Sequence, residues 1–199
     1  MNFQRFLFLS LILCFGIVSK AQTKSNFELV DSLISASVKE LENSINKNEK
    51  KFFLEVVSPL SFEVLKGKIY NSFSKKFHLL NTKQDSIPLV NFYLLKVKTS
   101  YGEPRKESIF GNFLVERKIE IYSNVVVKNS SNQIKTLEIN KSSVDTVYLD
   151  EINMLEDKSF PFTQSEIPNI PLLSNLLEPI IVVGTLIVST VLLFVVRSK

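Results

Sequence analysis

Eighteen consecutive residues without a charge, Pro179 to Val196 (PIIVVGTLIVSTVLLFVV), lie between Glu178 and Arg197 near the end of this 199-residue sequence. As a helix such a run rises roughly 27 Å, close to the hydrocarbon thickness of a bilayer. It is apolar on every face and rich in β-branched residues, so it reads as a single transmembrane helix rather than a core helix. Arg197 and Lys199 then mark the cytoplasmic end, with residues 197–199 as the tail.

The other end carries a second apolar run. Arg5 supplies a positive charge, Phe6 to Val18 is a thirteen-residue apolar stretch, and Ser19-Lys20-Ala21 places small residues at the two positions a signal peptidase reads. This predicts a secretory signal peptide over residues 1–21, cut before Gln22. The run rises only roughly 20 Å, too short for a permanent span. If it were retained, the chain would form a two-helix hairpin with the same middle region outside. Cys14 is preceded by Leu13 and followed by Phe15, not the surroundings of a lipidated cysteine. It is the chain's single cysteine, so a mature chain starting at Gln22 has no disulfide, thiol or cysteine-ligated metal chemistry.

The net charge of +4 points to no acidic partner once it is located. Arg5, Lys20, Arg197 and Lys199 account for all of it, and the stretch from Gln22 to Glu178 is balanced. Nucleic acid is not an expected partner. Within the balance, bases prevail from Lys39 to Lys76 and acids from Glu138 to Glu178.

Residues 22–155 read as one domain. Ser25-Asn26-Phe27-Glu28 has the form of a capping box, followed at helical spacing by Val30, Leu33, Ile34, Val38, Leu41 and Ile45, with the helix ending near 46–48. Phe52 to Val57 suits a buried strand. Ser58-Pro59 opens a second helix whose inner face is Phe62, Leu65, Ile69, Phe73 and Phe77. After a short strand near Phe77 to Leu80, the pattern turns to β: Leu89 to Tyr101, Phe113 to Lys128, a turn at Asn129 to Gln133, and Ile134 to Leu149. The expected fold class is α+β, two helices packed on a mostly antiparallel sheet, followed by a Pro-rich tether over 156–178 and one C-terminal transmembrane helix over 179–196. Pro161, Pro168, Pro171 and Pro179 stiffen the tether. Phe160 and Phe162 in it are expected to pack back on the domain.

Chemistry-bearing patterns are sparse. His78 is the single histidine, so no histidine-based triad or two-histidine metal site can form, and its place between Phe77 and Leu79 suits a structural residue. The five glycines form no phosphate loop or dinucleotide fingerprint. Asp145, Asp150, Glu151, Glu156 and Asp157 cluster along the last strand and its exit, without the glycine and alternating ligands of a calcium loop, and read as a solvated acidic edge. Glycoside hydrolysis needs paired carboxylates and a sugar-stacking cleft, and the chain has no tryptophan. No catalytic, cofactor-binding or metal-ligating residue is assigned, and no cofactor is expected.

Glu178-Pro179 opening an apolar helix that closes on Arg197-Ser198-Lys199 resembles a group of uncharacterised single-pass envelope proteins of Bacteroidota, and the Ala21-Gln22 junction is similar to signal cleavage sites of that phylum. The resemblance covers the two ends. It implies an inner-membrane protein with its N-terminal domain in the periplasm, and no catalytic residues. Asp31-Ser32-Leu33, Asp85-Ser86-Ile87 and Asp145-Thr146-Val147 resemble the O-glycosylation sequon of the same bacteria, with Ser86, in its turn, the best placed. The order of helices and strands resembles periplasmic adaptor modules of envelope machines, an analogy of fold alone. Together these features predict a membrane-tethered periplasmic binding or scaffolding module with an envelope protein partner. The alternative is a carboxylate-dependent hydrolase of cell-wall or glycan substrates resting on Asp145, Asp150 and Glu151.

Overall fold

A computed structural model describes residues 23–45, 51–83, 87–108, 111–170 and 177–197. The leader, its junction at residues 21 and 22, the end expected for the first helix at 46–48, and the sequon serine at position 86 lie outside these residues.

The capping box forms as its spacing predicts. The Glu28 amide donates to Ser25 Oγ at 3.2 Å and the Ser25 amide donates to Glu28 Oε2 at 2.8 Å, opening helix α1 (Asn26–Ser44). The Ser25 amide and hydroxyl, both donating to its carboxylate, hold the Glu28 carboxyl below its usual range. Val30, Leu33, Ile34, Val38 and Leu41 form its buried stripe. Strand β1 (Lys51–Val57) follows, then a 3-10 turn over Leu60–Phe62 and helix α2 (Glu63–Ser74), which buries Leu65, Ile69 and Phe73.

The rest of the sheet is β2 (His78–Leu79), β3 (Leu89–Tyr101), β4 (Arg105–Lys106), β5 (Phe113–Lys128) and β6 (Ile134–Tyr148). In space β2, β1, β3 and β5 are neighbours in that order, with β6 on the far side of β5 and β4 against the start of β5. The sheet is mixed: most of its pairing is antiparallel, as expected, and β1 adds a parallel part that the sequence did not indicate. β1 runs parallel to both β2 and β3. The reason is that α2 carries the chain back across the sheet, so strands on either side of the crossover point the same way. From β3 onward the pairing is antiparallel.

The helices cover one face. Phe52 meets Phe77 edge-on at 5.0 Å, and Phe73 meets Phe92 edge-on at 6.0 Å. These rings, with Val90, Leu94, Ile119, Ile121 and Val125, make a dry core. After β6, a 3-10 turn (Leu149–Glu151) and helix α3 (Ile152–Leu155) pack Ile152 and Leu155 on Val115 and Val147. Phe160 and Phe162 return to the domain: Phe160 stacks on Phe27 at 5.1 Å and Phe162 is buried in the core.

A C-terminal helix forms, α4 (Leu177–Arg197), and its side chains from Ile180 to Val195 are mostly exposed. The expectation that it crosses a membrane is corrected, because among the described residues no helix is long and apolar enough to do so. Gly184, Thr185, Ser189 and Thr190 interrupt its apolar surface. The single-pass topology inferred from that helix loses its basis with it.

Candidate binding face

Alternation along the strands decides what each face of the sheet carries. On β5, Val115, Arg117, Ile119, Ile121, Ser123, Val125 and Val127 are buried beneath the helical layer, and the intervening residues face away from it. The outward side of the central strands is only half-buried. Val57 lies beside Tyr93, Tyr93 beside Asn124, Asn91 beside Val126, and Lys96 beside Tyr122. An aromatic and aliphatic band therefore crosses three strands with no described helix above it.

Two irregularities concentrate in this band. The β3–β5 register shifts between Leu94 and Lys96, a bulge that turns Leu95 outward to 47 % exposure. Asn91 Oδ1 and Asn124 Oδ1 are buried atoms without a hydrogen-bond partner among the described residues, as is Ser123 Oγ on the core side. Beside the bulge, Lys96, Glu120, Tyr122, Asn140, Lys141 and Ser142 border a recess of about 440 Å³. Lys118 Nζ pairs with Glu120 at 2.7 Å, and its hydrogen bond, with the fields of Lys96 and Lys98, lowers the Glu120 carboxyl pKa. Three lysines around one glutamate leave this part of the face locally positive.

The carboxylates singled out in the sequence do not converge. Asp145, on the inward side of β6, accepts from Arg117 Nε at 2.8 Å and Arg117 Nη2 at 2.5 Å. Asp150 and Glu151 sit in the 3-10 turn beyond β6. Glu156 accepts from the Ser165 amide at 3.0 Å and Asp157 from the Ser159 amide at 2.9 Å. No group of three or more His, Cys, Asp or Glu side chains among the described residues could hold a metal ion. His78 is exposed on β2.

Arg117 anchors a buried polar network at the other end of the sheet. Fully buried, it donates from Nη1 to the Lys24 carbonyl at 2.8 Å and to Asn26 Oδ1 at 2.9 Å. Asn26 Nδ2 in turn donates to Tyr101 Oη at 2.8 Å and to the Thr163 carbonyl at 2.6 Å. Burial pushes the Tyr101 hydroxyl up to about 12, against a smaller opposing pull from the Asn26 hydrogen bond. This network ties α1, β3, β5, β6 and the segment after α3 at one point, a structural role. The signal for it was present in the sequence: Arg117 occupies a buried position in the β5 alternation, and a charge there requires a partner at the matching position of the next strand.

No family model matches the chain, and no curated protein matches it. Among solved structures it is similar to a minor lipoprotein from Acinetobacter baumannii, at 13% identity and TM-score 0.32, over 51% of this chain and 67% of that one. It is similar to the rare lipoprotein B from Shewanella oneidensis, at 13% identity and TM-score 0.30, over 48% and 69%. A third is a putative neuraminyllactose-binding hemagglutinin homolog from Helicobacter pylori, at 10% identity and TM-score 0.32, over 53% and 69%. At these scores the likeness carries no argument about fold or function.

Proposed function

We propose that this protein is an exported binding or scaffolding module of the cell envelope, and that it works through the uncovered sheet face around the Leu95 bulge. The leader-like N-terminus supports export. The binding role rests on one observation: among the described residues no layer covers an apolar and aromatic band on three strands, in which Leu95 is pushed outward and Asn91 and Asn124 hold oxygens without a described partner. Groups of this kind are suited to a partner that buries apolar side chains and supplies amide or hydroxyl donors. The lysines beside the recess favour acidic groups at its rim. The partner of this reading is an envelope protein.

The test is affinity capture of the full-length chain, tagged after Gln22 and extracted in mild detergent, compared with Leu95→Asp and with an unrelated exported control. Leu95 is half exposed at an irregular point of the strand, so the variant keeps its thermal midpoint within a few degrees while introducing a charge into the band. A partner recovered by the parent and lost from Leu95→Asp supports the reading. Recovery unchanged by the variant, or no specific partner at all, overturns it.

A further inference from the structure

The sheet ends in β6, and that edge is unusually open. β6 pairs with β5 in one unbroken register from Leu114 opposite Tyr148 to Lys128 opposite Ile134, without a bulge. Its other edge pairs with no described strand. The 15-residue strand has no proline. A long, regular edge of this kind is a template for another strand unless charge or a kink defends it. Defence is slight here. Lys141 is ion-paired to Glu40 of α1, and Lys135 Nζ donates to the Ser44 carbonyl at 2.9 Å, so both lysines are engaged on the covered side. On the outward side Glu138 is the only charged residue of the strand.

We propose that β6 pairs antiparallel with β6 of a second copy of this chain, about a two-fold axis at Asn140, joining two sheets edge to edge. Among registers that keep like charges apart, this one pairs a long stretch of β6 and sets a base opposite an acid. Centring on Glu138 sets glutamate opposite glutamate, and centring on Lys141 sets lysine opposite lysine, both unfavourable. Centring on Asn140 places Lys135 opposite Asp145 of the second copy, Glu138 opposite Ser142, and Thr136 opposite Val144, with no like charges facing. The pairing runs from Ile134 to Thr146 in both copies and supplies partners for backbone groups that the edge leaves unpaired. This inference is independent of the proposed function. A consequence is that the two uncovered faces lie side by side on one continuous surface.

Cysteine crosslinking reads the register directly. In a Cys14→Ser background, full-length chains carrying Glu138→Cys, Asn140→Cys or Ser142→Cys are oxidised in mild detergent at several dilutions. In the proposed dimer the two copies of residue 140 face each other at roughly 5 Å between Cα atoms. The two copies of residue 138, or of residue 142, are offset by four residues, roughly 13 Å, beyond the roughly 7 Å limit for a disulfide. The expected result is disulfide dimer at Asn140→Cys, at least tenfold faster than at the flanking positions and independent of dilution. Equal rates at the three positions, fastest crosslinking at 138 or 142, or rates that fall with dilution overturn the proposal. A second variant pair checks it without oxidation. Val144→Glu with Thr136→Glu faces acid against acid and abolishes the dimer by light scattering, whereas Val144→Glu with Thr136→Lys retains it. Loss or retention in both overturns the register.

Discussion

The two ends of the covered face are built on opposite principles. Around Phe52, Phe73, Phe77 and Phe92, aromatic rings interlock and no charged group among the described residues is buried. Around Arg117, one guanidinium holds a carboxylate, a backbone carbonyl and an amide side chain together in a fully buried position. The dry end gains from burial of apolar area, which tolerates some reshaping. The wet end gains little net free energy from its ion pair. It fixes which segments meet, because each polar group there is costly without its partner.

The sharpest test of that contrast is the response to a second substitution. Phe92→Ala and Arg117→Met should each lower unfolding free energy by about 3–5 kcal/mol, one by opening a cavity and the other by stranding Asp145 and Asn26. Adding Asp145→Val to Arg117→Met removes the stranded carboxylate and should recover about half of the loss. No second polar deletion should rescue Phe92→Ala. Chemical denaturation of the parent, these three variants and Phe92→Ala with Asp145→Val checks this, and equal non-rescue at both ends would erase the distinction.

A smaller effect is expected at Tyr101, whose hydroxyl accepts from Asn26. Tyr101→Phe should cost about 1 kcal/mol near neutral pH, the usual worth of a hydrogen bond. The folded hydroxyl titrates near 12 against an ordinary value of 10.0. The unfolded chain therefore ionises first, and the stabilisation is complete below pH 10 and lost as pH rises to about 12. The phenylalanine variant lacks this component, so the gap between the two stability curves should change across that window. Denaturation midpoints measured from pH 9 to 12 show whether it does.

An effect of the same size belongs to the capping box. Ser25→Ala should lower stability by about 1 kcal/mol with the wet network intact, because Lys24 contributes its carbonyl and Asn26 its side chain. A much larger loss in thermal unfolding would mean that the cap and the network act as one unit.

Much of the domain was legible in local pattern. The capping box, the apolar stripe of α1 and the alternation of β5 depend on residues near one another in the chain, and the structure repeats them nearly residue for residue. Strand direction was not legible, since the parallel pairing of β1 with β3 depends on how α2 crosses the sheet. The bulge at Leu95 was hidden because Leu94-Leu95 reads as an ordinary apolar step. Asp145 was misleading for a different reason. The acids that follow it at Asp150 and Glu151 suggested a cluster, but its neighbour across the strand is Arg117, and spatial pairing outweighs composition. The uncovered band could have been suspected from Tyr93 and Tyr122 on the non-core parity of their strands, although two tyrosines on one sheet face are common enough to pass as surface.

The meeting of Lys24 and Thr163 within one cluster has a mechanical meaning. Asn26 is bonded to the carbonyl of Thr163, and Arg117 to that of Lys24, so the chain enters and leaves the domain at nearly the same place. A pull between the segment before Lys24 and the segment after Gln164 would be carried across this small cluster and would hardly load the long β3–β5–β6 ladders. Under tension the polar knot is the fuse: it would open first, let out a short length of chain, and leave the sheet and its uncovered face intact.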